Sequence, residues 1–236
     1  MRILAVDTSS SVAAVAVINE IELLGEFLLN HQKTHSQKLV PMIDELLKNL
    51  ELHPEDIDVF AASSGPGSFT GLRIGITTVK AMAFALQKPV VSIPALDALA
   101  YSLPMTAAMV CPIMDARNNQ VYTALYEYTE GKQNKLTEYM GVNIQELVQI
   151  IKGKNKDVIF IGDGVLVHSE YLKYKLGLKC RIAPQCIMQQ KASTVAQLAL
   201  FEVYAGRLEN CFDMVPFYLR KPQAERELER KQQGKV

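Results

Sequence analysis

The stretch Val59–Ile76, VFAASSGPGSFTGLRIGI, constrains this chain more than any other. Val59 to Ala62 is apolar enough for a buried strand. Gly65-Pro66-Gly67 then breaks it, because glycine reaches backbone angles closed to other residues and proline fixes its own φ. Ser68 is placed to cap a helix, its hydroxyl accepting from a free N–H of the first turn. An apolar helix follows from about Phe69 to Leu86.

Two readings stand for this strand, glycine turn and helix. A helix N-terminus presents unpaired N–H groups and the positive end of a dipole, which suits an anion or a nucleotide. The same layout also makes a plain tight turn. No Lys follows the second glycine as a P-loop requires, and the strand is not the first in the chain, as a dinucleotide fingerprint would have it. Gly67, Gly71 and Gly75 recur every fourth residue and share one helix face. Each glycine inside a helix costs about 1 kcal/mol against alanine. The stripe therefore predicts close approach of another backbone, from a neighbouring element of this chain or from a partner subunit.

The 236 residues suffice for one large domain or two small ones, and a hydrophobic content of 49% supplies a substantial core. Lys plus Arg number 25 and so do Asp plus Glu, a formal net charge of zero that argues against a dominant nucleic-acid surface. No apolar run reaches the roughly 18 residues of a membrane span, and Asp7 interrupts any signal-peptide core. The expectation is a cytoplasmic protein without a membrane segment. Cys111, Cys180, Cys186 and Cys211 form no CxxC pair and predict reduced thiols.

Ile3–Val6 predicts a strand ending in Asp7-Thr8-Ser9-Ser10, followed by strands over 11–18 and 21–29. An opening hairpin whose first strand ends in Asp-Thr-Ser resembles the phosphate-binding hairpin of the actin, sugar-kinase and Hsp70 superfamily. There the acid manages a metal and the turn amides approach phosphates. In place of the usual Asp-x-Gly this chain has Thr8-Ser9 after the acid. Both a working turn and a plain Asp-capped turn remain open. His31 and His35 stand four apart, yet lack the Glu of HExxH and a third ligand, so no metal site is expected. Leu39, Ile43, Leu46, Leu47 and Leu50 predict a helix that Pro41 delays or bends.

After a strand near 88–93 and a helix from Pro94, the boundary falls at Leu103-Pro104. Strand, polar turn and strand then recur at Met109–Met114, Asp115–Asn119 and Val121–Tyr128, a duplication in layout. A polar turn over 131–135, a helix over 144–151, a strand over 157–161, a helix over 165–176 and a strand over 179–182 follow. Ser193 is placed to cap a last helix to about Leu208. The division predicted is an N-terminal lobe over 1–103, a C-terminal lobe over 104–220 whose last helix packs back on the first, and a charged tail over 221–236.

MRILAVDTSSSVAAVAV, HSQKLVPMIDELL, SSGPGSFTGLRIGITTVKAMAFALQKPVVSIPALDALA, MDARNNQVY and VPFYLR occur in this order. Together they resemble the TsaB (YeaZ) family over nearly the whole chain to Arg220. The resemblance implies an α/β fold of two RNase H-like lobes of the actin, sugar-kinase and Hsp70 type. It implies a non-catalytic scaffold and dimerisation partner of TsaD, the transferase that attaches threonylcarbamoyl to N6 of adenosine 37 in ANN-decoding tRNAs. TsaE joins the same assembly, tRNA is met through the complex, and the chain alone pairs with itself.

No cofactor is implied for the chain, with ATP or ADP only at the assembled complex. The partner contact falls on the two N-lobe helices: His35, Leu39, Ile43, Gly67, Ser68, Phe69, Gly71, Leu72, Gly75, Thr78, Val79 and Met82. A residual phosphate turn is left at Asp7, Thr8 and Ser9. TsaD carries an HxxxH metal pair where this chain has Pro94-Ala95-Leu96-Asp97-Ala98-Leu99, without an imidazole. The alternative from the same fold is a nucleotide-using ATPase or kinase built on Asp7, Asp115 and Gly162-Asp163-Gly164. A hydrolase finds no GxSxG elbow or HExxH helix. Arg73 and Arg117, as well as the mixed charges near the C-terminus, read as solvated surface before they read as RNA contacts.

Overall fold

The computed structural model describes residues 1–30 and 35–220. His31 and the charged segment 221–236 lie outside the described residues. The first half of the chain runs β1 (Ile3–Asp7), β2 (Val12–Ile18), β3 (Leu23–Asn30), α1 (His35–Asn49), β4 (Val59–Gly65), α2 (Phe69–Leu86), β5 (Val90–Pro94) and α3 (Ala95–Tyr101). The second half runs β6 (Met109–Asp115), β7 (Gln120–Thr123), β8 (Tyr126–Thr129), β9 (Lys132–Lys135), β10 (Met140–Asn143), α4 (Ile144–Lys154), β11 (Val158–Ile161), α5 (Gly164–Leu176), β12 (Cys180–Ile182) and α6 (Ala192–Tyr204).

The duplication is a topological fact. The first sheet has the order β3-β2-β1-β4-β5 and the second β10-β7-β6-β11-β12. In each, the first strand pairs antiparallel with the second and parallel with the fourth, and the fourth pairs parallel with the fifth. The β8–β9 hairpin is an insertion between the second and third strands of the second copy.

Every residue of β1 and β2 is buried, because helices cover both faces of the sheet centre. Side chains alternate with period two. Leu4 and Val6 join Leu39, Ile43, Ile76 and Val79 under α1 and α2. Ile3 and Ala5 face Val195, Ala196 and Ala199 of α6. The 18 residues of α2 have the length and hydropathy of a membrane span, but its Leu72, Ile76, Val79 and Ala83 are buried in the lobe as a core helix.

The helices do not respect a division at residue 103. Ala95, Leu96, Leu99 and Ala100 of α3 belong to the core of the second lobe, with Met109, Val110 and Phe160. Helix α6, from the far end of the chain, covers the first sheet. The two lobes thus exchange a helix each. They are tied again at Asp97, whose Oδ1 accepts the Tyr126 hydroxyl at 2.6 Å and whose Oδ2 accepts that of Tyr139 at 2.8 Å. Tyr128 donates to the Ala100 carbonyl at 2.9 Å, and Gln133 to that of Asp97 at 3.1 Å. Burial, followed by the Asp97 charge, pushes the Tyr126 phenol well above its ordinary range, so it stays a donor.

Several local expectations change. Helix α1 begins at His35 and continues through Pro41, which lies exposed on its outer side. The single strand expected over 121–128 is two: the chain turns at the buried pair Ala124-Leu125, keeps β6 as one neighbour and exchanges β10 for β9 as the other. The turn expected over 131–135 narrows to Glu130-Gly131, both at positive φ, and Lys132–Lys135 forms β9. Ser193 does not cap α6; its N–H and hydroxyl bind the Glu26 carboxylate at 2.9 Å, and the helix ends at Tyr204. All four cysteines are free, Cys111 and Cys211 buried.

Replacing Tyr126 by Phe removes a buried charge-assisted bond without changing the ring. The expected result is a loss of about 2 kcal/mol in unfolding free energy, measured by urea titration.

Candidate functional site

At the end of β1 the chain makes a tight polar turn inside the cleft between the lobes. Asp7 is 1% exposed. Its Oδ1 accepts the Ser9 N–H at 2.8 Å and the Ser9 hydroxyl at 2.7 Å. Its Oδ2 and the neighbouring Ser63 hydroxyl are buried, and neither reaches bonding geometry. Burial outweighs the Ser9 and Ser63 contacts and raises the carboxyl to about 6. The second lobe repeats the turn at Asp115, whose Oδ1 accepts the Arg117 N–H at 2.9 Å. Asp115 is exposed and also donates its own N–H to Asp163. Desolvation raises the Asp163 carboxyl, and the nearby Asp115 charge adds to it.

The carbonyls of the first turn are engaged by the helices. Ser68 donates its N–H to the Ser9 carbonyl at 2.7 Å, and His35 Nε2 lies 2.8 Å from that of Ser10. The Thr8 hydroxyl donates to the Gly71 carbonyl at 2.8 Å. A Cβ on Gly67 would meet the Ser9 oxygen at 2.2 Å, one on Gly71 the Thr8 carbonyl at 2.0 Å, and one on Gly75 the Thr8 hydroxyl at 2.3 Å. The glycine stripe therefore receives the chain's own first turn, not a foreign backbone. Ser68 caps α2 as expected, accepting from Gly71 at 3.2 Å.

That puts several of the predicted partner residues out of a partner's reach. Gly71, Gly75, Leu39, Leu72 and Val79 are buried inside the lobe. His35, Gly67 and Ser68 hold the turn, and Phe69 is stacked between Tyr218 at 4.7 Å and the Arg73 guanidinium at 3.8 Å. Arg73 also donates to the Tyr218 hydroxyl at 3.2 Å. The cleft around the turn measures about 640 Å³ and is lined by Ser9–Ser11, His35, Gly67–Thr70, Asp115–Arg117, Asp163, Tyr218 and Arg220.

Thr78 and Met82 lie half-buried on an open face, and Ile43, itself buried, forms the floor beneath it. With Val40, Leu47, Thr77 and Ala81 they line an apolar groove of about 810 Å³ between α1 and α2. Val40 is 57% exposed there. Sequence reasoning missed Val40, Thr77 and Ala81 because it followed the buried phase of each helix. Their signal is the apolar or small residue one step outside that phase, at positions where a solvated helix carries charge. Among the described residues no group of three or more His, Cys, Asp or Glu side chains stands together. In the Pro94–Leu99 segment, Asp97 is bound to two tyrosines.

A family model described as TsaD, tRNA N6-adenosine threonylcarbamoyltransferase, matches residues 22–228. The Bacillus subtilis tRNA threonylcarbamoyladenosine biosynthesis protein TsaB is 31% identical over 95% of this chain and 96% of its own length. The chain belongs to the TsaB family. A Pseudomonas aeruginosa crystal structure, described as similar to peptidase YeaZ, superposes with a TM-score of 0.78 at 26% identity, over 93% of this chain and 99% of that one. The fold extends to component A of the Acidaminococcus fermentans (R)-2-hydroxyglutaryl-CoA dehydratase, with a TM-score of 0.52 at 13% identity over 86% of this chain and 99% of that one. The TsaB-type chain thus has the two-lobed actin-like fold that its hairpins and family resemblance imply.

Two outcomes are expected at the turn. Gly71→Ala must displace the Thr8 backbone and costs about 1–3 kcal/mol or more in stability, read by thermal and urea unfolding. Asp7 binds its proton more tightly folded than unfolded, so its stabilising contribution is full below about pH 4 and is lost as pH rises through 6. Asp7→Asn keeps the Oδ1 acceptor and removes that loss. Relative to the parent, the variant gains on the order of 3 kcal/mol between pH 4 and pH 7, measured by urea unfolding across that range.

Proposed function

We propose that this chain is a non-catalytic subunit in the threonylcarbamoylation of N6 of adenosine 37 in ANN-decoding tRNAs, and that it holds a TsaD-type transferase against its α1/α2 face. The observation that carries this reading is the apolar groove between those helices, lined by Val40, Ile43, Leu47, Thr78 and Met82. Exposed apolar surface of this kind is characteristic of a protein contact.

The turn in the cleft supports the non-catalytic part. Its amides at Ser9 and Val12 are bonded to Asp7 and Ser10 side chains, and its carbonyls to α2 and His35. A phosphate-binding turn needs those amides free. In this reading the chain has no cofactor of its own, with ATP or ADP bound only at the assembled complex. TsaE joins the pair, tRNA is met through the complex, and the free chain forms a homodimer through the same face in the cytoplasm.

The test is to mix the full chain with the TsaD-type protein of its own organism and measure complex mass by light scattering. A 1:1 species is expected. Ala81→Arg places a charge on the exposed ridge and is expected to weaken the complex tenfold or more, about 1.4 kcal/mol, with an unchanged melting temperature. A 1:1 complex insensitive to Ala81→Arg would place the contact elsewhere.

A further inference from the structure

After α6 the chain does not leave the molecule. Glu209 pairs with Val90 at the edge of β5, with bonds of 3.0 and 2.9 Å in the two directions. Its carboxylate accepts from the Ser92 N–H at 3.1 Å and hydroxyl at 3.0 Å. Lys80 of α2 donates its ammonium to the carbonyls of Phe212, at 3.2 Å, and Met214, at 2.8 Å. The Phe217 N–H donates to the Ser64 carbonyl at 2.7 Å. Residues 209–217 are therefore a strap fastened to the lobe by polar groups on its inner side.

Its outer side carries two large apolar side chains beside the exposed Asn210 and Asp213. Phe212 is 69% exposed and Val215 64%. Phe212 meets Phe84 of α2 edge-on, with ring centroids 5.4 Å apart, and Phe84 is itself 54% exposed. Strap and helix enclose a second trough of about 660 Å³. Thr77 and Ala81 line both this trough and the α1/α2 groove. They lie four apart on one row of α2, so α2 presents a low ridge of small side chains with an apolar trough on each flank. The two troughs are one surface.

We propose that the strap, through Phe212 and Val215, is part of the surface that receives the TsaD-type subunit, so that the partner straddles α2 and touches α1 on one side and the strap on the other. This rests on the reading given under Proposed function and extends its contact beyond the two helices. Three features support that occupant. The trough is continuous with the helical face through Thr77 and Ala81. The strap is anchored in advance, so little ordering cost attends binding. The remaining segment, 221–236, has Leu228 and Val236 as its only large aliphatic side chains and is unsuited to fill an apolar trough.

The experiment compares the full-length parent, Ala81→Arg and the double variant Phe212→Ser/Val215→Ser in titration calorimetry against the TsaD-type protein, with self-association followed by sedimentation. The double variant is expected to lose tenfold or more in heterologous affinity. Parent-like affinity of the double variant, with Ala81→Arg weakened, overturns the strap and leaves the helical contact standing. Parent-like affinity of both overturns the helical contact as well. A double variant that changes self-association alone assigns the trough to a second copy and overturns the proposal. Hydrogen exchange on the unmodified chain gives a reading independent of any variant's folding. Amides over 212–217 are expected to gain protection in the complex, and unchanged exchange there counts against the strap.

Discussion

The contact on which the molecule depends is that of the Thr8-Ser9 turn with the bare face of α2. Thr8 donates its hydroxyl to the Gly71 carbonyl, and the positions a Cβ would take on Gly67, Gly71 and Gly75 are filled by Thr8 and Ser9 atoms. The cost of three glycines around one helix end is offset by a backbone-to-backbone approach that no other residue allows. Because the turn is held there, α2 lies along β1 and β4 at a fixed height. The small residues Thr77 and Ala81, four apart, are left facing outward.

The two lobes show how one topology can be turned to different uses. Both first strands end in an aspartate whose Oδ1 accepts the N–H two residues on. In the first lobe that aspartate is sealed beneath α2, and desolvation raises its carboxyl. In the second it stands at the cleft beside Asp163 and Arg117. The Asp-led turn has the same form in both lobes, while in the first its hydrogen-bonding groups hold helices together.

Much of this was legible in the residues. The strand–turn–helix unit at 59–86, its Ser68 cap and the repeat of the opening hairpin at Met109 follow from local patterning, and local patterning determines them. The glycine stripe was legible as a close approach, but its partner was not, because spacing along a helix does not say which backbone comes near. Ser193 looked like a cap and instead binds Glu26, a residue 167 positions away. The split at Ala124-Leu125 depends on which strand each half pairs with. The outward row Val40, Thr77 and Ala81 was invisible to a search for buried periodicity, since its message lies in the absence of charge where charge is expected.

The exchange of α3 and α6 between the lobes bears on synthesis at the ribosome. The second face of the first sheet, with Ile3, Ala5 and Val59, is covered by Ala98 of α3 and, for the most part, by Val195, Ala196, Ala199 and Leu200 of α6. A nascent chain that has completed all five strands of that sheet still carries an uncovered apolar layer while some hundred more residues are added. The first lobe therefore completes its burial only when α6 arrives, and the apolar layer shared by β1, β2, β4 and β5 is left without its main cover until then.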